Sequence, residues 1–124
     1  MSTWTIHDYA EINGRNLVAD WLASVPEGAQ GAIALRLLKM EQLRNWPEKW
    51  ASTLSGYEGI VELRIPHNRV QYRPLGMYLP GMKFVLLTGA IEKGNKLPQR
   101  NIDTAVRRRK NVLRDLDHVR PHQY

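Results

Sequence analysis

Cysteine is absent from this chain, so neither a disulfide framework nor a cysteine-ligated zinc site is open to it. No apolar run approaches the roughly 20 residues that a membrane-spanning helix requires. Nothing at the start of the sequence has the pattern of a secretory signal. A cytoplasmic protein that makes no membrane contact is the expectation. Repeats, low-complexity segments and compositional marks of disorder are missing too: 9 glycines and 7 prolines in 124 residues are ordinary. The length suits one domain, residues 1–124, with a real hydrophobic core.

Acidic residues are scarce in the second half. Met1–Gly59 holds five Lys/Arg against seven Asp/Glu, a balance of −2. Ile60–Tyr124 holds thirteen against five, a balance of +8, which accounts for the net +6. A basic half of this kind favours a polyanionic partner, either nucleic acid or an acidic protein covering the same surface.

The stretch Ile60–Pro98, IVELRIPHNRVQYRPLGMYLPGMKFVLLTGAIEKGNKLP, organises the chain. It contains three strand-like runs. In Ile60–Ile65, Val61, Leu63 and Ile65 point one way, and Ile60, Glu62 and Arg64 the other. A two-residue turn at His67-Asn68 sets Ile65 opposite Val70, Arg64 opposite Gln71, Leu63 opposite Tyr72 and Glu62 opposite Arg73. Apolar then meets apolar and polar meets polar. Tyr72 falls on the core face. Gly76–Met82 reads as a loop, with Pro80-Gly81 as its turn. Lys83–Ile91 is almost continuously apolar, as a strand buried on both faces should be.

The polar face of this sheet carries Glu62, Arg64, Arg69, Gln71 and Arg73. Two readings stand. One is a solvated face with a Glu62–Arg73 pair worth a few tenths of a kcal/mol to about 1 kcal/mol. The other is a phosphate-binding surface, for which three arginines beside a carboxylate are suited by their planar, two-pronged donors.

Around this stretch, Ser2–Asp8 alternates and reads as a short opening strand. Asn13 reads as the N-cap of a helix over Gly14–Ala23, and Pro26 breaks the chain before a second helix, Glu27–Arg44. Its inward stripe is Ile33, Leu37 and Met40. The two helices make an α-hairpin that covers the greasy face of the sheet. Asn45–Gly59 reads as a loop, with Trp46, Trp50 and Tyr57 either packed beneath it or free to stack bases. Pro98 suits the start of a last helix running to about Asp117, with Ile102, Ala105, Val106, Val112, Leu113 and Leu116 inward. Its four cations, Arg107–Lys110, fan around the axis, so they read equally as a solvated face or as a nucleic-acid contact. His118–Tyr124 reads as a polar tail. His118 and His122 are four apart, but Pro121 spoils a helical metal pair, and no metal site is expected.

The segment ELR…YR…FVLLTGAIEKGNKLP…A resembles the HigB-like branch of the RelE/ParE toxin superfamily, found in type II toxin–antitoxin modules and in phages. The matching positions are Glu62-Leu63-Arg64, Tyr72-Arg73, Phe84–Ile91, Lys93 with Lys96, and Pro98 leading to Ile102 and Ala105. The chain departs from that pattern at Ala90, Glu92, Leu97 and Asn101, where the family usually has Phe, Lys, Thr and Glu. The resemblance implies an α+β, RelE-like fold: an N-terminal strand and α-hairpin packed on an antiparallel sheet of three to four strands, followed by a C-terminal helix.

It also implies a metal-independent endoribonuclease without cofactor, an mRNA interferase that cuts messenger RNA on the ribosome and is silenced by a helix-turn-helix antitoxin. The residues carried over as catalytic are Arg64, Arg73, Glu62 and Lys93, with Arg64 and Arg73 clamping the phosphate and Glu62 as base or as orienter of Arg73. Arg69, Gln71, Lys96, Arg107 and Arg108 are the expected RNA contacts. His118, His122 and Tyr124 in the tail are further candidates for acid/base groups. The alternatives are a ParE-like gyrase inhibitor, a non-catalytic RNA- or protein-binding module of the same fold, and a phage structural protein.

Overall fold

The computed structural model describes residues 3–124. Ser2, where the opening strand was expected to begin, lies outside the described residues. The architecture is α+β and matches a RelE-like fold. The elements run β1 (Thr5–Tyr9), α1 (Leu17–Ser24), α2 (Glu27–Gln42), β2 (Ala51–Thr53), β3 (Val61–Leu63), β4 (Ile65–His67), β5 (Val70–Tyr72), β6 (Leu75–Leu79), β7 (Lys83–Thr88), α3 (Gln99–Arg114), a short 3₁₀ turn at Leu116–His118 and β8 (Val119–Pro121). Six strands form one sheet in the order β2-β3-β6-β7-β1-β8, and β4 and β5 form a separate hairpin.

The sheet is longer than the three or four strands expected, and one pairing is parallel. β1 lies parallel to β7, with Ile6 beside Phe84, while every other named pair is antiparallel. The reason is that three segments read as loop or tail are strands. β2 falls within Asn45–Gly59, β6 within the loop expected at Gly76–Met82, and β8 within the polar tail. Gly76 looks like a breaker in sequence, but it is a close-packing position: a Cβ there would sit 2.5 Å from the Phe84 ring. The turn is confined to Pro80–Met82, where Gly81 and Met82 have positive φ.

β7 is buried on both faces, as its composition predicts, with Phe84, Val85, Leu86 and Leu87 at 0–1 % exposure. Both α1 and α3 pack against it. Gly89, the exception in that apolar run, lies directly against the indole of Trp21. In α2, Ile33, Leu37 and Met40 are buried together with Ala29. The cap of α1 is Asn16 rather than Asn13. Its side chain accepts from the Ala19 N–H at 2.8 Å, whereas Asn13 only closes the preceding turn by accepting from the Arg15 N–H.

α3 ends at Arg114, short of Asp117, because Asp115 leaves the helical region and its carboxylate accepts from the Asp117 N–H to start the 3₁₀ turn. The inward stripe is Ile102, Ala105 and Val112, and Arg109 takes the intervening place with its guanidinium against Gly59. Leu113, about 100° round from Val112, is exposed, and so is Leu116 in the turn.

The central hairpin differs from the expected register in a way that decides the site. Asn68 and Arg69 are the turn, with φ of 48° and 65°. Ile65 therefore faces Tyr72, Pro66 faces Gln71 and His67 faces Val70. The run Ile60–Ile65 is not one strand. β3 pairs with β2 and β6 in the large sheet, and β4 pairs with β5 in the hairpin. Arg64 is the joint between them. On the return, Arg73 and Pro74 join β5 to β6. Tyr72 is buried, as expected.

Candidate functional site

Both joints are arginines, and the register brings them together. One step beyond the Ile65–Tyr72 pair stand Arg64 and Arg73, and the next step is made by the Leu63 N–H donating to the Pro74 carbonyl at 2.9 Å. Two cations opposed across a strand pair repel. Each has its own carboxylate. Arg64 pairs with Glu62 at 2.8 Å, and Arg73 pairs with Glu92 at 2.6 Å. The expected Glu62–Arg73 cross-strand pair is thus replaced by two others, because the shifted turn puts Arg64, not Glu62, opposite Arg73.

Glu92 is delivered by backbone pairing. After β7 the chain runs beside β5: the Arg73 N–H donates to the Ala90 carbonyl and the Glu92 N–H to the Gln71 carbonyl. In the sequence Glu92 stands only where the family pattern has a lysine. Its role becomes visible only once this pairing is known. The side chains of Arg73, Glu62, Glu92 and Arg64 are 10, 11, 18 and 35 % exposed, so the cluster is mostly dry and its charges interact more strongly than surface ions do. Arg64 is fixed further by donating to Ser52 Oγ at 2.8 Å and the Glu48 carbonyl at 3.1 Å. Arg73 also donates to Gln71 Oε1 at 3.3 Å.

Two open clefts meet at this arginine pair. The first, about 460 Å³, is lined by Glu62, Arg64, Arg73, Glu92, Asn95 and Lys96, over apolar Leu54, Leu97 and Ile102. The second, about 400 Å³, is lined by Arg36, Lys49, Trp50, Arg64, Pro66, Gln71 and Arg73. Arg64 and Arg73 are the residues common to both. Lys96 reaches the first cleft from a tight hairpin, in which Lys93 and Lys96 exchange backbone hydrogen bonds around Gly94 and Asn95, both at positive φ.

Of the residues singled out by sequence, Glu62, Arg64, Arg73 and Lys96 line the first cleft and Gln71 the second. Lys93 is exposed on the hairpin beside the first cleft without lining it. Arg69 is exposed at the tip of the β4–β5 turn. Arg107 and Arg108 lie on α3 and line neither cleft. Arg108 is turned inward. It donates to the Leu87 carbonyl at 2.9 Å and lies over the Tyr9 ring, and burial lowers its pKa.

His118 and His122 line neither cleft, and they tie the C-terminal segment to the N-terminal one. His118 Nδ1 bonds the Ala10 carbonyl, and His122 Nδ1 meets the Asp8 carboxylate at 2.8 Å. Tyr124 bonds Glu41, and burial with that bond raises the phenol pKa. No group of three or more His, Asp or Glu among the described residues is arranged to hold a metal ion. Residues missed in the sequence are Glu92, Ser52, Arg36 and Lys49. None carries a local signal: Glu92 and Ser52 are brought in by strand pairing, Arg36 by the packing of α2 on β4, and Lys49 by the turn before β2.

The fold is of the RelE-like class. The model for the family described as phage-derived protein Gp49-like (DUF891) matches residues 20–110, and the chain belongs to that family. That match runs from Asp20 in α1 to Lys110 in α3 and includes every residue of both clefts. The Gp49-like family is of the RelE/HigB toxin type and is associated with toxin–antitoxin modules, which implies an antitoxin partner. No curated protein matches the chain. Among the described residues, no helix is long and apolar enough to cross a membrane.

Proposed function

We propose that this protein is the toxin of a type II toxin–antitoxin module and acts as a metal-independent endoribonuclease on messenger RNA engaged with the ribosome. The observation that carries this reading is the opposed pair Arg64 and Arg73, each held by its own carboxylate at the junction of two clefts. In the reaction, the RNA 2′-hydroxyl loses its proton and attacks the adjacent phosphorus. The bond to the 5′-oxygen breaks, that oxygen takes up a proton, and the products end in a 2′,3′-cyclic phosphate and a 5′-hydroxyl.

The chain offers a group for each need. Arg64 and Arg73 bind the phosphate and stabilise the charge that grows on its oxygens, where preorganised donors are worth most. Glu62 accepts the 2′ proton, with Glu92 as the second carboxylate in reach. Lys96 in the same cleft supplies a proton for the leaving oxygen, and Lys93 adds positive charge from the hairpin. Arg69 and Arg107 extend the basic surface for the RNA backbone. Arg108, spent on the Leu87 carbonyl, is left out of the interface. A helix-turn-helix antitoxin silences the toxin by covering this basic cleft.

The direct test is a translation reaction with a defined message and purified protein, wild type beside Arg64→Ala/Arg73→Ala. Cleavage by wild type that leaves 2′,3′-cyclic phosphate ends and is lost in the double variant supports the reading. An intact message with wild type would overturn it.

A further inference from the structure

The two clefts differ in charge. The first mixes two carboxylates, Glu62 and Glu92, with its cations. The second has four cations, Arg36, Lys49, Arg64 and Arg73, and no carboxylate in its lining. A wall of that composition suits a ligand carrying more than one phosphate charge. It also has a flat aromatic element. The guanidinium of Arg36 lies 4.4 Å from the centre of the Trp50 ring.

This stack is built into the site. Arg36 donates to the Arg64 carbonyl at 2.7 Å, and the Arg64 N–H donates to the Trp50 carbonyl at 2.9 Å. Arg36, Trp50 and Arg64 therefore hold one another, and the partly buried indole is anchored on the core. Burial lowers the Arg36 pKa, as expected of a cation half withdrawn from water. Gln71 also lines this cleft, and among the described residues its side chain makes only the long 3.3 Å bond from Arg73, so its amide has donor and acceptor capacity to spare. Single-stranded RNA is recognised by stacking bases on aromatic rings or arginine planes and by hydrogen bonding to base edges.

We propose that this second cleft is a nucleotide subsite for the residue adjoining the scissile phosphate. Trp50 with Arg36 forms the stacking platform, Lys49 binds the next phosphate, and Gln71 reads the base edge. The inference rests on the nuclease reading and assigns that reaction's base selectivity to the side of the arginine pair away from the carboxylates. The volume of about 400 Å³ falls within the range of ordinary small-ligand sites.

The test uses the full chain and four 2′-O-methyl dinucleotides differing in one base, each carrying a terminal phosphate besides the internucleotide one, in which the attacking hydroxyl is blocked. The indole N–H resonances of Trp4, Trp21, Trp46 and Trp50 are followed during titration. The expected result is a shift of the Trp50 signal with the other three unmoved. Trp50→Leu then weakens binding roughly tenfold or more, Trp50→Phe much less. Gln71→Ala levels the affinities for the four bases. Lys49→Ala, at an exposed position, weakens binding and flattens its salt dependence by the equivalent of about one phosphate.

Two failures are distinguishable. Suppose the dinucleotides shift Asn95 and Lys96 but not Trp50, and both Trp50→Phe and Lys49→Ala cut RNA with wild-type rate and base preference. The subsite is then refuted while the nuclease reading stands. If wild type neither binds nor cuts RNA, the nuclease reading falls and takes the subsite with it.

Discussion

Arg64 and Arg73 stand opposite each other where the β4–β5 hairpin leaves the large sheet, one register step beyond the Ile65–Tyr72 pair. Two like charges in that position repel unless each is compensated. Glu62 and Glu92 supply the compensation, one for each arginine. The guanidinium groups are thereby held in place before any ligand arrives, at the meeting point of two clefts.

Removing Arg73 should affect both activity and stability. Losing one preorganised donor to a developing oxyanion costs about 10²–10³-fold in rate. Glu92 would also keep a mostly buried charge without its partner, at a cost of up to about 3–5 kcal/mol. Arg73→Ala is therefore expected to be inactive and to melt at lower temperature, while Arg73→Lys folds normally and remains strongly impaired. Thermal melts beside cleavage assays check this. A folded Arg73→Ala variant with wild-type activity would remove the residue from the mechanism.

Glu92 competes with phosphate for Arg73. Glu92→Gln keeps a hydrogen-bond acceptor beside the guanidinium but removes the charge. Affinity for a 2′-O-methyl RNA oligonucleotide should rise several-fold, and its salt dependence should steepen by about 0.7 in log–log slope for each additional phosphate neutralised. Filter binding across a salt series measures both. Weaker binding would mean that the carboxylate orients Arg73 rather than occupying it.

The sequence carried much of this architecture and missed its joints. The stripe of α2 and the doubly buried strand β7 are legible because their period and composition are local properties. β2, β6 and β8 are not, since they are short, interrupted by Gly76 or rich in polar residues, and exist as strands only because neighbours pair with them. The register failed by one turn residue. His67-Asn68 and Asn68-Arg69 are both acceptable turns, and apolar still meets apolar in either. That small choice exchanged the partners of Glu62 and Arg73. Arg64, Arg73 and Lys96, which line the first cleft, were singled out from motif order, whereas Glu92 depends on strand pairing and Arg36 and Lys49 on tertiary packing that no local pattern encodes.

The C-terminal segment is tied to the start of the chain through a buried carboxylate. Asp8 is 1 % exposed, and its carboxylate meets His122 at 2.8 Å and the Asn16 side-chain amide at 2.9 Å. His122→Ala leaves that buried carboxylate with a single neutral donor. Destabilisation of about 3–5 kcal/mol is expected, read as a lowered urea midpoint. His122→Ala/Asp8→Asn should recover part of the loss, because no unpaired charge then remains.

Gly89 is required by packing. A Cβ at this position would overlap the Trp21 ring, which α1 holds against β7. Gly89→Ala should cost about 1–3 kcal/mol as an overpacked core position. Gly89→Ala/Trp21→Leu should be milder than the sum of the two single changes. Additive losses in chemical denaturation would show that Gly89 is not constrained by Trp21.

The central claim is that Arg64 and Arg73 form the phosphate site of an RNA-cutting toxin. The most direct test is a transcriptome-wide map of RNA 5′ ends after a short pulse of expression, wild type beside Arg64→Ala/Arg73→Ala. The account predicts new ends within translated codons for wild type and none for the double variant. Growth arrest without new RNA ends, or cleavage that survives loss of both arginines, would contradict it.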